Sequence, residues 1–135
     1  MADENYAVGT AKNYKAGGHR VHKFGGTCLA TADSINSVSD IVKSQASPGD
    51  VVVVSANGNV TNWLLALIEG GISNGNILLE YFTDLQASVG FGREILKKIQ
   101  SEIKEIESLI DQSHYSQSEV LAYGEAWSSL ILSDV

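Results

Sequence analysis

The sequence contains only one cysteine and one proline among its 135 residues. A single cysteine, Cys28, excludes an internal disulfide bond and any metal site that is built from several cysteines. The three histidines, His19, His22 and His114, are scattered and lack the close spacing that is typical of zinc ligands. The sequence therefore predicts no metal site, and we expect a cytoplasmic protein.

Basic residues are scarce as well, because nine lysines and arginines are outnumbered by sixteen aspartates and glutamates, which leaves a net charge of −7. General binding to nucleic acid or to an anionic membrane surface requires a basic face. No apolar run approaches the roughly 18 residues of a membrane-spanning helix, and residues 1–18 lack the apolar core of a secretory signal. We therefore expect neither nucleic acid nor a membrane among the partners of the protein.

Two short apolar runs predict strands on either side of a helix. Val21–Phe24 predicts the first strand, and apolar residues between positions 35 and 42 then recur at helical spacing. Val51–Val54 is a continuous β-branched run, which predicts a strand buried on both faces, as in a parallel sheet with a right-handed crossover. Residues 1–19 show no periodicity, and we expect them to be a disordered tail, with order beginning near Arg20.

From residue 60 onward the sequence predicts only helices. They cover residues 60–69, 77–89 and 95–110, and the pattern Ser-x-x-Glu at Ser116 predicts the start of a last helix. Only two strands are therefore predicted, and a two-stranded parallel sheet is a poor core because parallel sheets need both faces covered. We expect the chain to be the N-terminal part of a larger α/β domain.

The residues after the first predicted strand have the composition of a phosphate site. Ligands in open α/β sheets bind outside the carboxyl ends of the strands, which is where Gly25 and Gly26 lie. Glycines let backbone N–H groups approach an anion, and Lys23 adds a compact cation. The alternative is an ordinary glycine turn beside a surface lysine. The sequence contains no Walker P-loop, since Gly-x-x-x-x-Gly-Lys-Ser/Thr is absent.

Two further polar segments are candidates for substrate recognition. Residues 55–62, after the second predicted strand, are rich in the small hydroxyl and amide groups that bind small polar substrates. Alternatively, Asn59 or Thr61 merely caps the next helix. On the last predicted helix, Gly124 beside Glu125 would let a ligand come close to the carboxylate, although a helical glutamate is usually only solvated.

In order and spacing, these three segments resemble the aspartokinases of the amino acid kinase superfamily. The family's opening Lys-Phe-Gly-Gly-Thr-Ser motif is similar to residues 23–28, with Cys28 in place of the serine. The family's Val-Val-Ser-Ala loop with its Thr-Asn ending is similar to residues 53–62, and its helical Gly-Glu to residues 124–125. The Gly-Glu-x-Trp-Ser stretch most resembles the bifunctional aspartokinase–homoserine dehydrogenases.

The resemblance covers about residues 20–135 and implies an α/β fold. This fold would be the N-terminal part of the amino acid kinase αβα sandwich, with parallel strands followed by a helix-rich segment. The implied reaction is phosphorylation of the side-chain carboxylate of L-aspartate by ATP with Mg²⁺, which gives 4-phospho-L-aspartate. This is the first step toward lysine, threonine and methionine. No covalently bound cofactor is implied, and a homo-oligomer is expected for the full-length protein.

The resemblance also implies roles for individual residues. Lys23 would be the catalytic residue, because its charge would stabilise the transferred phosphoryl group. Phosphate and ATP contacts would come from Lys23, Gly25, Gly26, Thr27 and Cys28, whose thiol is a weaker hydrogen-bond donor than the usual serine hydroxyl. Contacts to aspartate would come from Ser55, Thr61 and Glu125, the last of these with the α-ammonium group.

The family's nucleotide-binding half corresponds to sequence beyond Val135. We therefore expect residues 20–135 to be the N-terminal portion of an aspartokinase catalytic domain that is inactive alone. The alternative is a stand-alone, non-catalytic remnant that binds a small ligand or a protein partner through exposed apolar surface. A helical interaction module would require residues 51–54 to be helical, which their β-branched content disfavours. Sibling amino acid kinases are disfavoured by the Lys-Phe-Gly-Gly-Thr start.

Overall fold

The computed structural model describes residues 12–16 and 19–135. Three strands, one short 3₁₀ helix and five α-helices lie within these residues. The strands are β1 (Lys12–Ala16), β2 (His19–Phe24) and β3 (Val51–Val54), and the 3₁₀ helix is Gly26–Leu29. The helices are α1 (Ala32–Gln45), α2 (Val60–Glu69), α3 (Asn76–Val89), α4 (Arg93–Asp111) and α5 (Gln117–Asp134).

The three strands form one sheet in the order β1-β2-β3. The pairing of β2 with β3 is parallel and runs from Val21 opposite Val51 to Phe24 opposite Val54. The predicted parallel strands followed by a helix-rich segment are therefore confirmed. Because the pairing is parallel, the carboxyl ends of β2 and β3 lie side by side at the same edge of the sheet.

The prediction of a disordered tail over residues 1–19 is wrong for the part that the structure describes. Residues 12–16 form β1, which pairs antiparallel with β2 from Lys12 opposite Lys23 to Ala16 opposite His19. Backbone hydrogen bonds hold such an edge strand, so it needs no apolar periodicity that a sequence pattern could reveal. Residues 1–11, 17 and 18 lie outside the described residues.

The prediction that β3 is buried on both faces is also wrong. Val51 is 51% exposed and Val53 is 41% exposed, whereas Val52 and Val54 are half-buried. The half-buried face lines a groove of about 260 Å³ together with side chains of α1 and α5, including Val42 and Leu132. The opposite face of β3 is therefore an exposed β-branched surface at the end of the described sheet.

Local signals set the bounds of the helices. The side chain of Thr31 accepts a hydrogen bond from the N–H of Ser34, whose own side chain bonds the N–H of Thr31, so a reciprocal capping box begins α1. Gly70 ends α2 in the left-handed conformation, at φ 80°, which glycine adopts without steric cost. The start predicted at Ser116 is confirmed, since the Ser116 side chain accepts a hydrogen bond from the N–H of Glu119.

One contiguous apolar core joins the helices to the sheet. Its largest fully buried side chains include Trp127 on α5, Phe24 on β2 and Phe82 on α3. The predicted stripe of α4 buries Ile99, Ile103 and Ile106 in the same core. None of the helices in the described ranges is long and apolar enough to span a bilayer.

A polar network fixes the amino ends of β2 and β3. Asp50, just before β3, accepts hydrogen bonds from the backbone N–H of Arg20 at 3.0 Å and of Ser47 at 2.9 Å, and it lies 2.9 Å from Nε2 of the buried His22. The Arg20 guanidinium also donates to the carbonyl of Gln45 at the end of α1. The Arg20 N–H above all, together with His22, holds the pKa of the Asp50 carboxyl well below its usual range.

Candidate functional site

Two loops meet at the carboxyl ends of β2 and β3. The first loop comprises residues 25–28, and the second loop comprises residues 55–59. The N–H of Ser55 donates to the carbonyl of Phe24 at 3.1 Å, and the N–H of Gly58 donates to the carbonyl of Gly26 at 3.0 Å. Backbone hydrogen bonds therefore fix the first loop against the second.

Two glycines bring three chain segments into contact around Ala56. A Cβ atom on Gly26 would lie 2.8 Å from the Ala56 carbonyl oxygen, which is closer than real Cβ atoms approach. On α5, a Cβ atom on Gly124 would lie 2.9 Å from the Ala56 Cβ atom and 3.3 Å from Val60. Ala56 therefore lies close to both the first loop and α5, and the three predicted segments are packed against one another.

Most of the candidate polar side chains on these segments are exposed to solvent. Lys23 and Thr27 are exposed, and so are Thr61 in the first turn of α2 and Glu125 on α5. Ser55 is half-buried where β3 ends. Side chains of both charges and of hydroxyl type therefore remain available to a small charged ligand, whereas the backbone beneath them is tightly packed.

Cys28 differs from the other candidates, because its side chain is only 2% exposed and belongs to the apolar core. Its N–H donates to the carbonyl of Gly25 at 3.1 Å. The thiol therefore occupies a core position in the fold, and its proposed contact with phosphate stays a prediction.

Residues 19–135 match the model of the amino acid kinase family. The chain belongs to the amino acid kinase family. Among its relatives is the chloroplastic bifunctional aspartokinase/homoserine dehydrogenase 1 of Zea mays, which is 32% identical over 131 residues. Bifunctional aspartokinase/homoserine dehydrogenase 2 of Escherichia coli is 30% identical over 132 residues. These matches cover 84% and 89% of this chain but only 14% and 16% of the two relatives.

A solved structure with a similar fold is that of Escherichia coli aspartokinase III in complex with aspartate and ADP. It superposes with a TM-score of 0.65 at 29% identity, and the match covers 84% of this chain and 28% of that chain. The resemblance to aspartokinases that the three motifs indicated is therefore confirmed.

The alternative that Asn59 or Thr61 merely caps α2 is not supported in this amino acid kinase chain. Asn59 stands at the capping position, but its side chain makes no capping hydrogen bond, and Thr61 lies inside the first turn. The first N–H groups of a helix carry partial positive charge, which favours an anion such as a carboxylate.

Two further side chains, one of them outside the predicted segments, hold the backbone that follows the first loop. Asn57 is 1% exposed, and its Nδ2 donates to the carbonyl of Leu29 at 2.6 Å. The hydroxyl of Tyr81, on α3, donates to the carbonyl of Ala30 at 2.6 Å, and burial raises the pKa of Tyr81 to about 12. Asn57 lies within the predicted polar loop, whereas Tyr81 had no local signal.

The described residues contain no group of three or more histidine, cysteine, aspartate or glutamate side chains that could hold a metal ion. Two buried polar atoms near the junction, Oδ1 of Asn57 and Oγ of Ser128, have no hydrogen-bond partner in the described part of the chain. Ser128 lies one helical turn after Gly124. The site is therefore less completely hydrogen-bonded than the network at the other end of the strands.

Proposed function

We propose that this chain supplies the aspartate- and phosphoryl-binding part of an aspartate kinase. The reaction transfers the γ-phosphoryl group of ATP, bound with Mg²⁺, to the side-chain carboxylate of L-aspartate and gives 4-phospho-L-aspartate and ADP. One observation carries the proposal: the first loop, the second loop and α5 are packed together around Ala56, and exposed polar side chains lie on or next to these segments. The similarity to an aspartokinase that was solved with aspartate and ADP supports it.

The phosphoryl group would bind at the first loop. Gly25 and Gly26 would present backbone N–H groups to it, and the exposed ammonium of Lys23 would offset the charge that develops on the phosphoryl oxygens. A carboxylate oxygen of aspartate forms the new bond to phosphorus while the bond to the ADP oxygen breaks. The carboxylate is already ionised at neutral pH, so no general base is required.

Aspartate would bind between the second loop and α5. The hydroxyls of Ser55 and Thr61 can donate to its carboxylates, which also lie in the favourable field of the α2 N-terminus. Glu125 would pair with the α-ammonium group, and Gly124 leaves space beside it. This arrangement gives selectivity for an amino acid over a simple dicarboxylate.

We further propose that the chain does not phosphorylate aspartate alone and corresponds to the N-terminal portion of a catalytic domain. It spans only 14% and 16% of its two bifunctional relatives. The exposed surface formed by Val51 and Val53 supports the presence of further packing on β3 in a complete domain. The lysine, threonine and methionine pathway, the cytoplasmic location and the homo-oligomeric assembly remain part of this proposal.

A second candidate is a stand-alone remnant that binds a small ligand or protein partner, and the same exposed valines favour it. The two candidates differ in what the site binds. A remnant with a new partner has no reason to keep selectivity for the α-ammonium group of aspartate.

Titration of the ¹⁵N-labelled chain with L-aspartate and with succinate, which lacks the α-ammonium group, tests the proposal. We expect L-aspartate to shift the amide signals of Ser55, Thr61 and Glu125 and to bind more tightly than succinate. Glu125→Gln should weaken L-aspartate binding about tenfold, as loss of a charge-assisted contact does, and leave succinate binding unchanged. Glu119→Gln, an exposed carboxylate on the same helix, is the control.

Absence of any shift at these amides would contradict the aspartate site and favour the remnant. ADP release that depends on aspartate and is lost in Lys23→Ala would contradict the proposed inactivity of the isolated chain.

A further inference from the structure

We propose that Asn57 and Tyr81 are positioning residues that hold the first loop in its phosphate-binding conformation through hydrogen bonds to the carbonyls of Leu29 and Ala30. The inference rests on the proposed function, because it assigns a role at the same site. It gives a role to Asn57, which lies within the predicted polar loop, and to Tyr81, which lies outside the motifs of the sequence.

The carbonyls of Leu29 and Ala30 lie where no helix supplies a donor. The 3₁₀ helix ends at Leu29, so its last carbonyls have no partner within it. The N–H of Ser34 donates to the side chain of Thr31, and the N–H of Ile35 donates to the carbonyl of Thr31. Neither N–H is therefore directed at Leu29 or Ala30. The side chains of Asn57 and Tyr81 donate to these two carbonyls instead.

The two donors come from different elements and meet at consecutive carbonyls. Asn57 belongs to the second loop, and its Nδ2 lies 2.6 Å from the oxygen of Leu29. Tyr81 belongs to α3, and its hydroxyl lies 2.6 Å from the oxygen of Ala30. The ring of Tyr81 is itself fixed by edge contacts to Trp63 and Phe82, at centroid distances of 5.3 and 5.1 Å. Both donors are therefore held in place before any ligand binds.

The first loop needs such support because two of its residues are glycines, which restrict the backbone least. Its beginning and middle are fixed by backbone hydrogen bonds, from Ser55 to Phe24 and from Gly58 to Gly26. Its exit is fixed by the side chains of Asn57 and Tyr81. A conservative substitution can remove these side-chain hydrogen bonds, whereas it leaves the backbone hydrogen bonds in place. The identities of residues 57 and 81 therefore influence the direction of the loop's N–H groups.

Tyr81→Phe and Asn57→Asp test the role with little change in shape. Phenylalanine keeps the ring contacts and removes the hydroxyl, and ionised aspartate keeps the size of asparagine and removes the donor. Tyr115→Phe and Asn36→Asp are the matched controls, since both side chains are at the surface and lie outside the two loops. If Asn57→Asp fails to fold, Tyr81→Phe alone still decides the question.

Hydrogen exchange gives the first readout. The N–H of Cys28, bonded to Gly25, and the N–H of Gly58, bonded to Gly26, report on the loop. We expect their exchange to be about 3- to 10-fold faster in either variant, as loss of one hydrogen bond predicts, with unchanged exchange in the helix α4. Unchanged exchange at both amides would overturn the proposal.

Binding gives the second readout and separates positioning from general stability. With inorganic phosphate and L-aspartate as separate probes, we expect Tyr81→Phe to weaken phosphate binding about 3- to 10-fold and aspartate binding less than twofold. Equal weakening of both would mean a structural role only and would overturn the proposal. If the unsubstituted chain binds neither probe, the proposed function fails, whereas the exchange rates still decide whether the two side chains hold the loop.

Discussion

The two ends of the β2–β3 pair use polar groups in opposite ways. At the amino end, Asp50 is almost fully buried, and both of its oxygens have partners from Arg20, His22 and Ser47. At the carboxyl end, Lys23 is exposed, and the tight contacts of Gly26 and Gly124 are with backbone and small side chains. The first end satisfies its charges internally, whereas the second leaves the charge of Lys23 exposed, as the proposed phosphate site requires.

This difference predicts that substitutions at the amino end change the stability of the fold, whereas substitutions at the carboxyl end change ligand binding. A buried carboxylate whose removal leaves donors without acceptors destabilises the folded state. An exposed side chain that makes no contact of this kind changes the free energy of unfolding little. Variants at the two ends should therefore separate the two properties.

Asp50→Ala should have the largest effect on stability. The substitution leaves the N–H groups of Arg20 and Ser47 without their acceptor and removes one partner of the buried His22. We expect the lowest urea midpoint of all the variants, with L-aspartate binding retained below the transition. Asp84→Ala, an exposed carboxylate on α3, is the control. A midpoint for Asp50→Ala equal to that of the control would mean that the network is not structural.

Gly124→Ala should have the next largest effect and should disturb both properties. The added methyl would lie 2.9 Å from the Cβ atom of Ala56, so the second loop or α5 must move. Overpacking of this kind costs about 1–3 kcal/mol, of which higher helix propensity offsets up to about 1 kcal/mol. Urea unfolding and L-aspartate titration measure the two effects. Gly71→Ala, where the nearest atom is 3.6 Å away, should change neither.

The effect of pH on the stability of the fold should be smaller than the effects of these two substitutions and should occur only at acidic pH. Because the pKa of Asp50 is lower in the folded state, its contribution is fully present above the pKa of an unfolded aspartate, about 3.9, and is lost as the pH falls below it. Asp50→Asn should remove this part of the acid sensitivity. Urea midpoints between neutral pH and pH about 3 measure it, and an equally steep decline in both proteins would disprove the assignment.

Several parts of the fold could be predicted because local chemistry determined them. The bounds of α2 follow from helical spacing and a terminal glycine, and the strand at Val51–Val54 follows from its β-branched run. The exposure of that strand could not be predicted, because it depends on what packs against it. β1 could not be predicted either, because its residues show no alternation of apolar and polar side chains.

The site could be predicted only as far as its motifs extend. The order and spacing of the three segments matched the pattern of one family. The contacts around Ala56 could not be predicted in this way, because they join residues that are far apart in sequence. The charged groups at the two ends of β2 look alike in sequence, since Arg20 and Lys23 are three positions apart. Arg20 and Lys23 can be told apart only by their contacts in the fold, which make Arg20 part of a structural network and leave Lys23 accessible to a ligand.

Lys23→Ala should have the smallest effect on stability and thereby gives the sharpest test of the comparison. Lys23 is exposed, so we expect the free energy of unfolding to change by no more than about 0.5 kcal/mol. Binding of inorganic phosphate should fall about tenfold, because a charge-assisted contact is lost. Lys97→Ala removes another exposed lysine, on α4, and should leave phosphate binding unchanged. If Lys23→Ala instead destabilises the fold as strongly as Asp50→Ala, the carboxyl end is structural too, and the division of the two ends fails.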